Sequence, residues 1–247
     1  MRLILLRHGE SEWNLQNRFT GWKDVALTRK GVEEANFAGN QILSHNFDIK
    51  SIHSSLLKRA VDTTKIVADT INFSHKNIKF SWRLNERHYG ALQGLNKSET
   101  AEKYGEDQVL IWRRSFDISP PLLKDDDKRH PKYNSKFQNI SPSDLPVGES
   151  LRDVIARLNP FWISFIKYIS ELNGDHLIVG HSNSLRAIIK ILENYSKDEI
   201  ISVNIPTGVP LVYDLSKDLN VINKEYLIDE KTLLKKKKLI EQQGKVK

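Results

Sequence analysis

Arg2-Leu3-Ile4-Leu5-Leu6-Arg7-His8, residues 2–8, decides the fold. Arg2 to Leu6 reads as a strand buried on both faces, which is the habit of parallel sheets covered by helices, and it runs into a polar loop from Arg7 to Lys23. Outward from it, Thr28 caps a helical pattern through about Leu43, and Ser51 to Ser54 is a short strand. A helix follows from about Leu57 to Thr70, with apolar spacing at Ala60, Ile66, Val67 and Ile71. Ile78 to Trp82 is a third extended piece and leads into the polar run Leu84 to Gly94. Strand, helix, strand, helix, strand predicts a layered α/β domain with a mostly parallel sheet.

The middle of the chain breaks that rhythm. Residues 98–115 read as helical, whereas 116–148 carry Pro120, Pro121, Pro131, Pro142 and Pro146 and the acidic triplet Asp125 to Asp127, the composition of a long excursion. Regularity returns with a helix from about Gly148 to Leu172, with a kink expected at Pro160, and then the strand His176 to Gly180. Ser182 to Glu193 is helical, and Val209 to Leu215 with Val221 to Leu227 form a strand pair about the turn at 216–220. The expected organisation is one catalytic domain over 1–230, with a loop-rich insertion at about 88–147, and a basic, flexible tail over 231–247.

Charge divides along the same line. The 247 residues hold 38 Lys and Arg against 31 Asp and Glu, a net +7, of which the tail's seven lysines and one glutamate supply +6. A body of +1 lacks the broad cationic face of a nucleic-acid binder. The absence of cysteine excludes disulfides and thiolate chemistry and fits a reducing compartment. Leu3 to Leu6, closed by Arg7, is far short of a signal sequence or a membrane span, so a cytoplasmic protein without membrane partners is expected. Lys235 to Lys238 lack both an aromatic companion and an extended apolar face, so a membrane tether is disfavoured.

His8 follows the first strand by two residues and His181 directly follows the strand ending at Gly180. Ligand sites in open α/β sheets form outside the carboxyl ends of strands, so the two converge if their strands are neighbours. Either histidine alone could merely end a strand. Arg7, Arg59, Arg83 and Arg87 lie near the same sheet edge, and a guanidinium fork matches phosphate oxygens two at a time, so a phosphorylated anionic substrate is expected. A neutral imidazole flanked by such cations is a nucleophile for phosphorus. Gly180-His181-Ser182-Asn183-Ser184 imitates a hydrolase nucleophile elbow, but no histidine follows residue 181, which excludes that chain order. No histidine pair has metal-ligand spacing, so no metal is expected.

Leu5-Leu6-Arg7-His8-Gly9-Glu10-Ser11-Glu12-Trp13-Asn14 resembles the signature of the histidine phosphatase superfamily. Phe19-Thr20-Gly21-Trp22, Ser54 to Ala60, Arg83-Leu84-Asn85-Glu86-Arg87-His88-Tyr89-Gly90, Leu92 to Lys97, Ile111-Trp112-Arg113-Arg114 and Asn204 to Pro210 resemble its cofactor-dependent phosphoglycerate mutases in particular. The resemblance implies a three-layer α/β/α sandwich of the phosphoglycerate mutase-like type. It makes His8 the phosphorylated residue and His181 the partner that stabilises the transferring group. Arg7, Asn14, Arg59 and the backbone at Ser182 and Asn183 would hold that group, and Thr20 and Gly21 would touch substrate. Glu86 would exchange the proton of the substrate hydroxyl, the alternative being an ion pair with Arg83 or Arg87. Tyr89, Lys97, Arg113 and Arg114 would hold the carboxylate and second phosphate of a three-carbon acid. Interconversion of 2- and 3-phosphoglycerate, primed by 2,3-bisphosphoglycerate in a homodimer or homotetramer, is implied; the rival within the superfamily is a phosphatase that passes the phosphoryl group to water. The tail would lie near the active-site mouth. Ser182 departs from the usual glycine, so a backbone with positive φ there would be costly.

Overall fold

The computed structural model describes residues 1–243, 245 and 246; Gly244 and Lys247, both within the expected tail, lie outside the described residues. The chain runs β1 (Arg2–Arg7), α1 (Glu12–Leu15), α2 (Arg29–Ser44), β2 (Ile49–Ser54), α3 (Lys58–Thr70), β3 (Ile78–Phe80), α4 (Lys97–Tyr104), α5 (Glu106–Arg114), α6 (Leu151–Ser170), β4 (Asp175–Gly180), α7 (Ser182–Leu192), α8 (Glu199–Ser202), β5 (Pro210–Leu215), β6 (Val221–Tyr226) and α9 (Glu230–Glu241). The six-stranded sheet has the order β3-β2-β4-β1-β5-β6. β3, β2, β4 and β1 are mutually parallel, while β5 pairs antiparallel with β1 and β6 antiparallel with β5.

Alternation within the central strands creates the layers. Leu3, Leu5 and Ile178 face α6 and α7, packing with Val154, Leu158, Phe165, Leu185 and Ile188. Ile4, Leu6, Leu177 and Val179 face the opposite layer, against Ala38 and Ile42 of α2 and Ala60 and Val67 of α3. Every side chain of β4 is buried, so its near-continuous apolar run records a strand covered on both sides. The three-layer α/β/α sandwich expected from the sequence is the observed architecture.

The local departures have local causes. β3 stops at Phe80 because the Ser81 side chain accepts the Arg83 N–H and starts a 3-10 turn over Trp82–Leu84. The single helix expected over 98–115 is divided at Gly105, whose φ of 88° belongs to neither helix. α6 begins at a capping box formed by Ser150 and Asp153 and continues through Pro160. The segment expected as a flexible tail is instead helical over 230–241, capped by Asp229, with Ile240 buried. Lys236 anchors it through Glu34 of α2 at 2.7 Å, and Lys237 lies 4.8 Å from the Tyr226 ring centroid.

Buried histidines give the fold a pH dependence. Burial holds His53, set among Phe161, Phe165 and Tyr168, down to about 4, and His88, beside Trp22, down to about 3. Between those values and about 6.5 the unfolded chain binds protons that the folded chain refuses, so stability falls as pH drops through that window and is insensitive to these groups above it. Each contributes on the order of 3 to 5 kcal/mol of lost stability at its full extent. His53→Phe should flatten the decline, measured by urea unfolding from pH 7 to pH 4.5; an unchanged slope would refute the assignment to His53.

Candidate active site

The register pairs Arg7 with Gly180, so the carboxyl ends of β1 and β4 finish level and deliver His8 and His181 side by side. The His8 N–H donates to the Gly180 carbonyl at 3.1 Å, and the two imidazole centroids are 4.9 Å apart. The loop after His8 lies directly on the start of α2: a Cβ on Gly9 would come within 2.1 Å of the Gly31 carbonyl oxygen, and one on Gly31 within 2.0 Å of that of Glu10. Only glycine permits this approach at both positions.

His8 has a defined tautomer. Its Nδ1 lies 2.7 Å from its neighbour Gly9's carbonyl oxygen, which accepts but cannot donate, so Nδ1 carries the hydrogen. Nε2 therefore keeps its lone pair, and Arg59 Nε donates to it at 3.2 Å. Burial first, then Arg59 and Arg7, hold the imidazole well below its ordinary pKa, so it is neutral at physiological pH. Arg59 is itself fixed by the Gly21 and Lys23 carbonyls at 3.0 and 3.1 Å, the former presented by Gly21 at φ 53°. Arg7 donates to the Ile205 carbonyl at 2.9 Å, leaving its buried Nε without a partner among the described residues.

His181 Nε2 is 2.7 Å from Ser55 Oγ, whose own hydrogen goes to Asn85 Oδ1 at 3.0 Å. Nε2 is thus the protonated nitrogen, and Nδ1 is buried without a partner among the described residues. Burial, then Arg59 and His8, also hold His181 well below its ordinary pKa. Ser182 begins α7 and is not among the residues at positive φ, so the cost expected for replacing glycine there does not arise.

Among the described residues Glu86 forms no ion pair with Arg83 or Arg87. Its Oε1 accepts the N–H groups of Arg87 and Asn183 at 2.8 and 3.0 Å. Asn183's backbone donor, expected for the phosphoryl group, is therefore engaged by Glu86. Arg83 instead donates to the Arg157 carbonyl and stacks on Trp82, and Arg87 donates to the carbonyls of Trp112 and Ser115. Neither lines the pocket with His8, because backbone carbonyls elsewhere accept their guanidinium N–H groups.

Every other expected site residue lines one pocket with His8: Arg7, Asn14, Thr20, Gly21, Arg59, Glu86, Tyr89, Lys97, Arg113, Arg114, Ser182 and Asn183. His181 stands outside this lining, against His8. Burial and neighbouring cations hold Lys97 well below its ordinary pKa, and they bring Arg114 down to about 10. So many buried cations facing Glu86 alone demand a multiply charged anion. Entering phosphate and carboxylate oxygens would offset the desolvation of these cations and screen their mutual repulsion, so the lining fits a multiply phosphorylated acid.

Arg18, Arg186, Ile240 and Gln243 also line the pocket; Ile240 and Gln243 belong to the tail that the resemblance places near the active-site mouth, whereas Arg18 and Arg186 were not anticipated. Arg186 falls three residues after Asn183 on α7, spacing that places both on one face, and it donates to Asn183 Oδ1 at 2.9 Å. Gln243 comes from beyond α9, its Oε1 accepting from Lys97 at 3.0 Å and its carbonyl from Arg113. No local signal marks that long-range contact. Asn204 Oδ1 accepts from Arg114 at 2.5 Å while its amide donates to Glu241, so the end of α9 and the pocket share a hydrogen-bonded chain.

A doubly covered α/β sheet with paired histidines and an arginine cradle defines a phosphoryl-transfer class, and the model of the histidine phosphatase superfamily (branch 1) matches residues 3–125 and 122–223. A 2,3-bisphosphoglycerate-dependent phosphoglycerate mutase of Treponema denticola is 52% identical over the full length of both chains. One of Borreliella afzelii is 51% identical over 99% of each. Among solved structures, a mycobacterial glucosyl-3-phosphoglycerate phosphatase shares the fold at TM-score 0.70 and 21% identity, over 92% of this chain and 98% of its own. The chain belongs to the histidine phosphatase superfamily and, within it, to the family of 2,3-bisphosphoglycerate-dependent phosphoglycerate mutases.

Proposed function

We propose that this chain interconverts 2- and 3-phosphoglycerate through a phosphohistidine at His8 that 2,3-bisphosphoglycerate primes. The observation that carries the reading is a single pocket in which His8, Arg7 and Arg59 share a lining with three further cations, Lys97, Arg113 and Arg114. The relatives at about half identity over the whole chain support the same reaction.

His8 Nε2 attacks phosphorus of the bisphosphorylated primer, and the P–O bond to the leaving carbon-bound oxygen breaks as the N–P bond forms. Arg7 and Arg59 neutralise charge on the transferring group, with His181 packed against His8 beside it. Glu86 gives a proton to the departing oxygen and takes one from the incoming hydroxyl in the reverse direction. Lys97, Arg113 and Arg114 keep the acid bound while its two oxygens exchange places. Asn14, Thr20, Gly21, Ser182 and Asn183 complete the lining. Operation as a cytoplasmic homodimer or homotetramer belongs to this proposal; among the described residues no helix is long and apolar enough to cross a membrane.

The test is conversion of 3-phosphoglycerate with and without trace 2,3-bisphosphoglycerate. The expected result is conversion that rises steeply with primer while inorganic phosphate accumulates only slowly. Fast phosphate release without isomerisation would replace this reading by a phosphatase.

A further inference from the structure

We propose that Arg157, held by Glu149, is a positioning residue for Glu86; the inference rests on Glu86 acting as the proton-exchanging group proposed above. Glu86 sits on a segment outside the sheet, so the ladder cannot fix it. Its backbone is fixed by one guanidinium instead. Arg157 of α6 donates to the carbonyls of Trp82, Arg83, Asn85 and Glu86 at 3.2, 2.7, 3.1 and 3.2 Å. Its Nε donates to Glu149 Oε1 at 2.6 Å, and both side chains are 5% exposed or less.

Glu149 completes the bracket on the other side of Glu86. Its Oε2 accepts the His88 N–H at 2.7 Å, and its own N–H donates to the His88 carbonyl at 2.9 Å. Trp22 adds an indole N–H to the Glu86 carbonyl at 2.6 Å, with its ring 5.4 Å beneath the Arg157 guanidinium. Glu149 directly precedes the Ser150 capping box, so the start of α6 is a rigid mount. The carboxylate of Glu86 thus projects from a loop whose carbonyls before and at Glu86 and whose N–H just after it are held by one buried ion pair. Neither member of the pair lines the pocket, so the pair acts on turnover through the loop it holds.

Only a planar fork with five N–H groups spans four carbonyls and a carboxylate, so lysine does not substitute. A displacement of about 1 Å at a proton-exchanging group costs rate steeply, so Arg157→Lys and Glu149→Gln should lower kcat roughly 30- to 100-fold with KM nearly unchanged. Glu149→Gln preserves shape and carries the same test if Arg157→Lys fails to melt cooperatively. The decisive readout is a double-mutant cycle on the intact enzyme. In a Glu86→Gln background, the second substitution should cost no more than about threefold, because there is no longer a proton exchange to misalign. Equal losses in both backgrounds, or no loss in the Glu86 enzyme, would overturn the positioning role. If Glu86→Gln alone keeps its turnover, the proton-exchange reading itself fails, and the positioning role fails with it.

Discussion

His8→Ala is expected to lower conversion of 3-phosphoglycerate by roughly 10⁴-fold or more while leaving substrate binding largely intact. The size follows from where the nucleophile stands. Nε2 is the one imidazole nitrogen of His8 with a free lone pair, aligned by Arg59 and made neutral by burial and by the cations around it. Water admitted to the vacated volume lacks that alignment and cannot keep the phosphoryl group on the enzyme for a second acceptor. Arg7, Arg59, Lys97, Arg113 and Arg114 remain, so the anion still binds. The fold tolerates the change, because the substitution removes a desolvated group beside two guanidiniums and leaves the paired ends of β1 and β4 in place. A coupled assay showing more than about one part in a hundred of wild-type turnover would contradict a phosphohistidine pathway.

The second large effect is expected from Glu86→Gln, with kcat lower by roughly 10²- to 10⁴-fold. Glutamine keeps an oxygen for the N–H groups of Arg87 and Asn183, so the loop should hold its place. What disappears is the carboxyl that exchanges the proton and, in its ionised form, its negative charge. Glu86 is the foremost group opposing the burial-driven lowering of the Arg7 and Arg59 pKa values, so its charge partly satisfies those cations before substrate arrives. Its removal should leave them more available to phosphate, and KM should fall together with kcat. That joint fall separates lost proton exchange from lost binding, which would raise KM. A kcat within threefold of wild type would show that another group, or water, exchanges the proton.

The parts of this arrangement that were legible in the sequence are those written in short-range patterns. Leu3 to Leu6 and Leu177 to Val179 are apolar at every position because alternate residues serve different helical layers, and the histidines follow at the strand ends. The sequence could not show that β1 lies between β4 and β5, because register is a tertiary choice. Arg83 and Arg87 looked like site residues because they follow the carboxyl end of the third strand, at the sheet edge where ligands bind, yet backbone carbonyls claim both. Arg157 and Glu149 are eight residues apart and meet across a helix start, a spacing that signals nothing by itself. α9 was hidden by four successive lysines; its docking depends on buried Ile240 and on the distant partners Glu34, Tyr226 and Asn204.

The most direct test of the phosphohistidine at the centre of this account is a label chase. Enzyme incubated briefly with 2,3-bisphosphoglycerate carrying labelled phosphoryl groups should take up acid-labile label on the peptide that contains His8. Addition of unlabelled 3-phosphoglycerate should discharge it into bisphosphoglycerate faster than into inorganic phosphate. Label on His181, or no enzyme-bound label while isomerisation proceeds, would contradict the assignment.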